Sequence, residues 1–289
     1  MHNAAYRALG LDWEYWLMDC ASQGEARAFL AEGEWLACNI TMPYKPLAFA
    51  VAQRRSIAAT LAAGANVLVK TPDGLLADNT DGAGCVGFLG RCGVLLAGKR
   101  VVVCGTGPTA RSIMHACGAA GAAAVTLMGR DAARAQRAVA TYLAELGRLS
   151  EAPADAFAFN DASRWEAIRR AARETAFAGS SYGEGHEALA SADVIIDATS
   201  LGMNPGDPAP FDVELLSASH VVLDVVYGHG ETALMAGARA RGCAAYDGVG
   251  MLVGQAVETV RDLASATGLF EIPANVDLFD VMAGAASGE

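Results

Sequence analysis

Two short segments carry residues whose types could move a proton. Asn39-Ile40-Thr41-Met42-Pro43-Tyr44-Lys45 ends in a lysine, and Asn79-Thr80-Asp81-Gly82 holds an aspartate. A lysine is almost wholly protonated near neutral pH, and a carboxylate beside it favours that charged form. Brought together, Lys45 and Asp81 could share a proton and pass it to or from a neighbouring oxygen. Spacing alone leaves plainer readings open. Lys45 also reads as a solvated lysine in the first turn of a helix, and Asp81 as the N-cap of the next one, where aspartate is favoured.

A third segment is glycine-rich. Lys99 to Cys104 reads as a short apolar strand, and Gly105-x-Gly107-x-x-Ala110 follows it into a helix near Ala110 to Cys117. The first glycine permits a tight turn, the second lets backbone approach a pyrophosphate, and Ala110 allows close helix packing. The helix N-terminus offers free N–H groups to phosphates. A plain glycine-rich βα turn has the same pattern, so context decides. The next strand, Ala124 to Met128, ends in Gly129-Arg130-Asp131, with Arg134 one helical turn beyond. Two guanidinium groups there suit the 2′-phosphate of NADP. Asp131 works against that phosphate and leaves NAD possible.

The elements that must position these groups fall into two sets. Ahead of Gly82, the pattern predicts helices over Ala4 to Leu9 and Glu25 to Ala31, and strands over Trp13 to Met18 and Leu36 to Thr41. A helix begins at Lys45, just after the Pro43 break, and a hairpin turns at Thr71-Pro72-Asp73-Gly74 between Val67 to Lys70 and Leu75 to Ala77. Beyond it, strand–turn–helix–strand order implies a parallel sheet, continued by Val194 to Asp197 and Val221 to Asp224. Ser150 to Ser191 reads as a helix plus a mobile loop without assignable chemistry. The fold class expected is α/β in two domains: a substrate-binding α/β domain and a Rossmann-like parallel-sheet domain for NAD(P).

Composition narrows the function. The chain has 289 residues, enough for two modest domains. Its 53% hydrophobic and 18% charged content argues against disorder. A net charge of −11 disfavours a general polyanion binder, whereas local arginines still allow a small anionic ligand. The seven cysteines are scattered without a CxxC pair, and the five histidines are isolated. Reduced thiols and no metal site are therefore expected. No apolar run suits a bilayer, and the first residues lack the apolar core of a signal peptide. The expectation is a soluble cytoplasmic protein, monomer or homodimer, acting on a small molecule, with no nucleic-acid or membrane partner.

Taken together and in order, these segments resemble the shikimate dehydrogenase family. Asn39 to Lys45 resembles its N-(V/I)-T-x-P-x-K segment, Gly64-Ala65-Asn66-Val67-Leu68 its G-A-x-N-T-L stretch, and Leu76 to Gly82 its N-T-D-G motif. Gly105 to Arg111 is similar to G-A-G-G-A-x-R, Gly129-Arg130-Asp131 to N-R-T, and Ala198 to Met203 to A-T-x-x-G-M. Asp224 to Tyr227 and Asp247 to Ala256 complete the series.

The resemblance implies reversible reduction of 3-dehydroshikimate to shikimate with NADPH. It places Lys45 and Asp81 beside the oxidisable hydroxyl, with Thr41, Asn66, Tyr227 and Gln255 on the ring hydroxyls and neighbouring groups. Gly105, Thr106, Gly107, Pro108, Thr109, Ala110, Arg130, Arg134, Thr199 and Gly248 would hold the cofactor. It divides the chain into residues 1–82 plus 252–289 for substrate and 83–251 for NADP, with a helix at about Leu252 to Thr267 returning to the first part.

The chain also departs from the pattern. The family's S-x-S-P, whose serines bind the substrate carboxylate, precedes a segment like Met1 to Tyr6, so Met1 is expected to be an internal methionine of a longer chain. Val67, Gly129, Asp197 and Ala233 replace the family's threonine, asparagine, asparagine and proline. Three alternatives stay open: oxidation of quinate or shikimate with NAD, a non-catalytic ligand-binding protein on the same scaffold, and a two-domain dehydrogenase of another alcohol or amine.

Overall fold

The computed structural model describes residues 1–152 and 162–287. The first elements are α1 (His2–Ala8), α2 (Gln23–Glu32), β1 (Ala37–Asn39), α3 (Lys45–Val51), β2 (Arg54–Arg55), α4 (Ile57–Ala62), β3 (Val67–Thr71), β4 (Gly74–Asp78) and α5 (Asp81–Arg91). Then come β5 (Arg100–Cys104), α6 (Pro108–Ala119), β6 (Ala124–Gly129), α7 (Ala132–Glu151), α8 (Ala162–Glu174), β7 (Ala176–Ser181), α9 (His186–Ala190) and β8 (Val194–Asp197). The chain continues through β9 (Val221–Asp224), α10 (Ala233–Ala240), β10 (Ala244–Tyr246), α11 (Val249–Thr267) and α12 (Leu278–Ser287).

The strands form two sheets. One is mixed, in the order β1-β3-β4-β2, and the other is parallel throughout, in the order β10-β9-β8-β5-β6-β7. β5 is buried from Val101 to Cys104, as a strand covered on both faces must be. The chain runs outward from β5 through β6 to β7, then returns to place β8 on the other side of β5. The carboxyl ends of β5 and β8 therefore flank a reversal of strand order, the place where open α/β sheets bind ligands. No helix among the described residues is long and apolar enough to cross a membrane.

Two expectations need correction. Trp13 to Met18 is not a strand. The side chain of Asn3 holds both backbone polar groups of Tyr15, accepting from its N–H at 2.6 Å and donating to its carbonyl at 3.0 Å. Trp13 and Tyr15 lie against the cluster built on α1, α11 and α12, while Trp16, Leu17 and Met18 are exposed. The second correction concerns Ser150 to Ser191. Residues 153–161 lie outside the described residues, but the remainder holds α8, α9 and an edge strand, β7, in register with β6. β7 reads Ala-Phe-Ala-Gly-Ser-Ser, too small and polar for propensity to announce it. It is placed by packing, since a Cβ on Gly179 would lie 2.6 Å from the Ala135 carbonyl carbon of α7.

Helix α11 starts three residues earlier than expected, and α12 follows it. Its Leu263 packs on Val67 and Val69 of β3, and Thr259 Oγ1 accepts from Asn39 Nδ2 at 2.9 Å. Between α11 and α6 lies α5, held with almost no gap. A Cβ on Gly84 would stand 2.2 Å from Gln255 N, and one on Gly82 would stand 2.2 Å from the Ser112 carbonyl oxygen. Only glycine permits such backbone approach. The start of α5, where Asp81 sits, is fixed from both sides.

Candidate active site

Lys45 opens α3 with Pro46 behind it, a good start for a helix because proline's missing N–H has no partner there anyway. The side chain turns inward, 11% exposed. Its Nζ lies 2.5 Å from Asp81 Oδ2. Asp81 is the first residue of α5, after the N-cap Thr80. Its carboxylate therefore does not serve as the cap; it sits at the positive end of the helix dipole, where a negative charge is favoured. Its other oxygen, Oδ1, accepts from Asn66 Nδ2 at 2.9 Å.

Asn66 is the hub of this group. Its Nδ2 also lies 3.0 Å from Thr80 Oγ1 and 3.3 Å from Gln255 Oε1, while its Oδ1 accepts from Thr80 N at 2.8 Å. Asn79, buried beside them, donates to the Gly64 carbonyl and accepts from Asp81 N. The structure thus brings together Lys45, Asp81, Asn66 and Gln255 from α3, α5, the lead-in to β3, and α11. Tyr227 is 45% exposed, and burial, then the Asp81 carboxylate, push its phenol above the ordinary value. Thr41 is exposed on the loop before α3, with its carbonyl taken by Tyr44 N.

The glycine turn stands at the switch point. Gly105 has φ +110, and a Cβ there would lie 2.9 Å from the Ala198 carbonyl oxygen. Gly107 has open space where its Cβ would be, and Pro108 begins α6. Ala110 is fully buried. Thr106 touches Gly129 at the end of β6, since a Cβ on Gly129 would meet its Cγ2 at 3.1 Å. Thr199 N donates to Asp197 Oδ1, and Gly248 N donates to the Val226 carbonyl, so both line the same carboxyl edge of the sheet.

Arg130 and Arg134 are exposed beyond β6. A third arginine joins them. Arg111 of α6 is half-buried, its Nε has no hydrogen-bond partner, and burial, then the charge of Arg134, lower its guanidinium from the ordinary value. None of the three forms a salt bridge among the described residues. Arg111 and Arg134 are near enough for the charge of one to act on the other, and such paired like charges suit an anionic ligand. Asp131 is occupied as the N-cap of α7, accepting from Arg134 N at 3.1 Å. The open turn and the unpaired guanidinium fit a dinucleotide carrying an extra phosphate.

The two halves meet at Thr109. The sequence pattern placed it with the cofactor turn, but its hydroxyl lies 3.0 Å from Lys45 Nζ and 2.9 Å from Asp81 Oδ2. Sequence reasoning also passed over Arg111, which ends the quoted turn motif; its nearness to Arg134 depends on how α6 and α7 flank β6.

Residues 1–68 match the family model described as the shikimate dehydrogenase substrate binding domain. The chain is 33% identical over 266 residues to the shikimate dehydrogenase (NADP(+)) of Rubrobacter xylanophilus, covering 90% of this chain and 84% of that enzyme. The chain belongs to the shikimate dehydrogenase family. Another family member, the shikimate dehydrogenase (NADP(+)) of Acidiphilium cryptum, is 36% identical over 259 residues, covering 89% of this chain and 82% of that enzyme. Among solved structures, quinate dehydrogenase from Corynebacterium glutamicum in complex with NAD has a TM-score of 0.75 at 26% identity, over 99% of this chain and 92% of that one. Among the described residues there is no group of three or more His, Cys, Asp or Glu side chains that could hold a metal ion.

Proposed function

We propose that this chain catalyses the reversible, NADP-dependent interconversion of 3-dehydroshikimate and shikimate, with Lys45 and Asp81 as its proton-transfer pair. The observation that carries the reading is the buried contact between Lys45 Nζ and Asp81 Oδ2 beside the first turn of α6. The nicotinamide, when bound, supplies the hydride in reduction and accepts it in oxidation. Lys45 gives an ammonium proton to the oxygen that gains charge as the carbonyl is reduced, and in oxidation that oxygen returns its proton to Lys45. Asp81 holds Nζ in place and balances its charge, while Asn66 fixes the carboxylate from the other side. Asn66 and Gln255 from the buried group, with Thr41 and Tyr227 at the rim, hold the ring hydroxyls.

Gly105, Thr106, Gly107, Pro108 and Ala110 would carry the pyrophosphate, and Thr199 and Gly248 would line the nicotinamide end. Arg130 and Arg134, joined by Arg111, would take the 2′-phosphate through charge-assisted hydrogen bonds. On this reading residues 1–82 with 252–289 hold the substrate and 83–251 hold the cofactor. A second reading, quinate oxidation with NAD, draws on the likeness to the quinate dehydrogenase; the unpaired arginines favour NADP over it.

The test is the initial rate of reduced-nicotinamide formation from shikimate and from quinate, each with NADP⁺ and with NAD⁺. Fastest turnover with shikimate and NADP⁺ is expected. Faster turnover of quinate with NAD⁺ would install the second reading, and a folded protein that binds cofactor yet turns over neither substrate would end both.

A further inference from the structure

We propose that Thr109 is a positioning residue for proton transfer, its hydroxyl aiming the Lys45 ammonium from the cofactor side. The inference rests on the reading that Lys45 exchanges a proton with substrate, and it assigns to the second residue of α6 a task separate from holding pyrophosphate.

The placement follows from packing. Pro108 presses α6 toward the substrate residues: a Cβ on Gly64 would lie 2.7 Å from the Pro108 Cβ and 3.7 Å from that of Lys45. This seating brings Thr109 Oγ1 within hydrogen-bond distance of both members of the pair. The donor inventory then closes. A lysine ammonium has three N–H groups and accepts none, and a threonine hydroxyl donates one hydrogen bond and accepts others. Lys45 Nζ donates to Asp81 Oδ2 and to Thr109 Oγ1, and Thr109 in turn donates to Asp81 Oδ2. Two of the three ammonium protons are thereby committed, and the third has a defined direction in which to meet a substrate oxygen.

Without the hydroxyl, Asp81 alone would tether a flexible four-carbon stem, and Nζ could rotate about that single contact. Threonine suits the task because branching at Cβ restricts χ1, so the hydroxyl is held ready. The backbone N–H of Thr109, at the start of α6, stays free to serve the cofactor.

The experiment compares wild type, Thr109→Val and Thr109→Ser as full chains. Val keeps the shape and removes the hydroxyl; Ser keeps the hydroxyl. Steady-state kinetics with shikimate and NADP⁺ should show kcat down by about 10- to 100-fold in Thr109→Val, the scale of a misplaced reacting group. The KM for NADP⁺ should stay within about twofold, and Thr109→Ser should recover most of kcat. A second readout does not depend on turnover: in ¹⁵N-lysine-labelled protein, the Lys45 ammonium signal, assigned by its loss in Lys45→Met, should exchange slowly with water in wild type and Thr109→Ser and quickly in Thr109→Val. Unchanged Lys45 exchange in Thr109→Val would overturn the inference, whether or not the wild type turns over. So would a kcat within about twofold of an active wild type. Wild-type inactivity with the expected exchange pattern would instead count against the substrate reading and leave the positioning role standing. Should Thr109→Val fail to fold, Thr109→Ala is read by the same two criteria.

Discussion

Replacing Asp197 by asparagine should shift the stability difference in favour of the variant as pH rises from 5 to 8. Asp197 ends β8 directly beside Asp224 of β9, and it is 1% exposed. Oδ1 accepts from Thr199 N at 2.9 Å, and Oδ2 is buried without a hydrogen-bond partner. Burial, then the charge of Asp224, raise its carboxyl from 3.8 to about 7. The sign follows from linkage. Below 3.8 both folded and unfolded chains hold the proton. As pH rises from there, the unfolded chain releases it first, the folded state binds more protons, and stability falls until pH passes about 7. Between pH 5 and pH 8 the folded and unfolded carboxyls diverge by about two further units, worth about 1.4 kcal/mol each. Asparagine has no proton to lose, so its advantage over Asp197 should be about 3 kcal/mol greater at pH 8 than at pH 5. Urea unfolding of both proteins at the two pH values measures this directly. The comparison cancels the opposing contributions of His2 and His115, whose values burial lowers to about 4. An equal gap at both pH values would refute the argument that a buried, charge-crowded carboxyl stands at this strand end.

Three further outcomes test the site. Lys45→Met should lose about 10²- to 10⁴-fold in kcat, the usual worth of acid–base help, with the dissociation constant of NADP⁺ unchanged; a small rate loss in a folded protein would remove Lys45 from the chemistry. Arg111→Gln should weaken NADP⁺ by about 10- to 100-fold, as loss of a charged hydrogen bond does, and leave NAD⁺ binding almost alone. Calorimetry with both cofactors decides it, and equal losses would place Arg111 away from the 2′-phosphate. Gly84→Ala should cost about 1–3 kcal/mol by overpacking, since its methyl would meet the Gln255 backbone at 2.2 Å. Denaturant midpoints read the cost, and a neutral result would mean that α5 and α11 can separate freely.

Much of the fold and part of the site were legible in the sequence because local chemistry announced them. Lys45 opened a helix just after Pro43 as expected, although the strand before it ended at Asn39 rather than Thr41, and the Val101–Val103 run and Gly105 marked a buried strand and its turn. The hairpin at Thr71–Gly74 followed from its turn residues, and its strands pair there in register. Trp13 to Met18 misled because an apolar, aromatic-rich run does not name a ladder partner, and Asn3 supplies the polar contacts that a neighbouring strand would. β7 was missed because an edge strand of small residues is placed by its neighbours. Thr109 and Arg111 lie in a segment whose pattern was plain, but a pattern says nothing about which way a side chain faces once α6 is seated. Asp131 read only as an argument against a phosphate, and its second task as the N-cap of α7 became visible with the helix that follows.

The contrast between a locked interior group and an exposed rim bears on how such a protein could acquire new substrates. Lys45, Asp81, Asn66 and Asn79 are buried and engaged with one another or with backbone, and α5, which carries Asp81, is packed so closely that glycines 82 and 84 leave no room for an added methyl. A change at any of them disturbs several contacts at once. Thr41 is exposed and Tyr227 half-exposed, and neither side chain makes a hydrogen bond among the described residues. If they hold the ring as proposed, variation confined to those two would reshape its recognition while the proposed proton-transfer pair passed intact from one specificity to the next. Laboratory diversification of this enzyme should therefore start at positions 41 and 227 and leave the floor beneath them untouched.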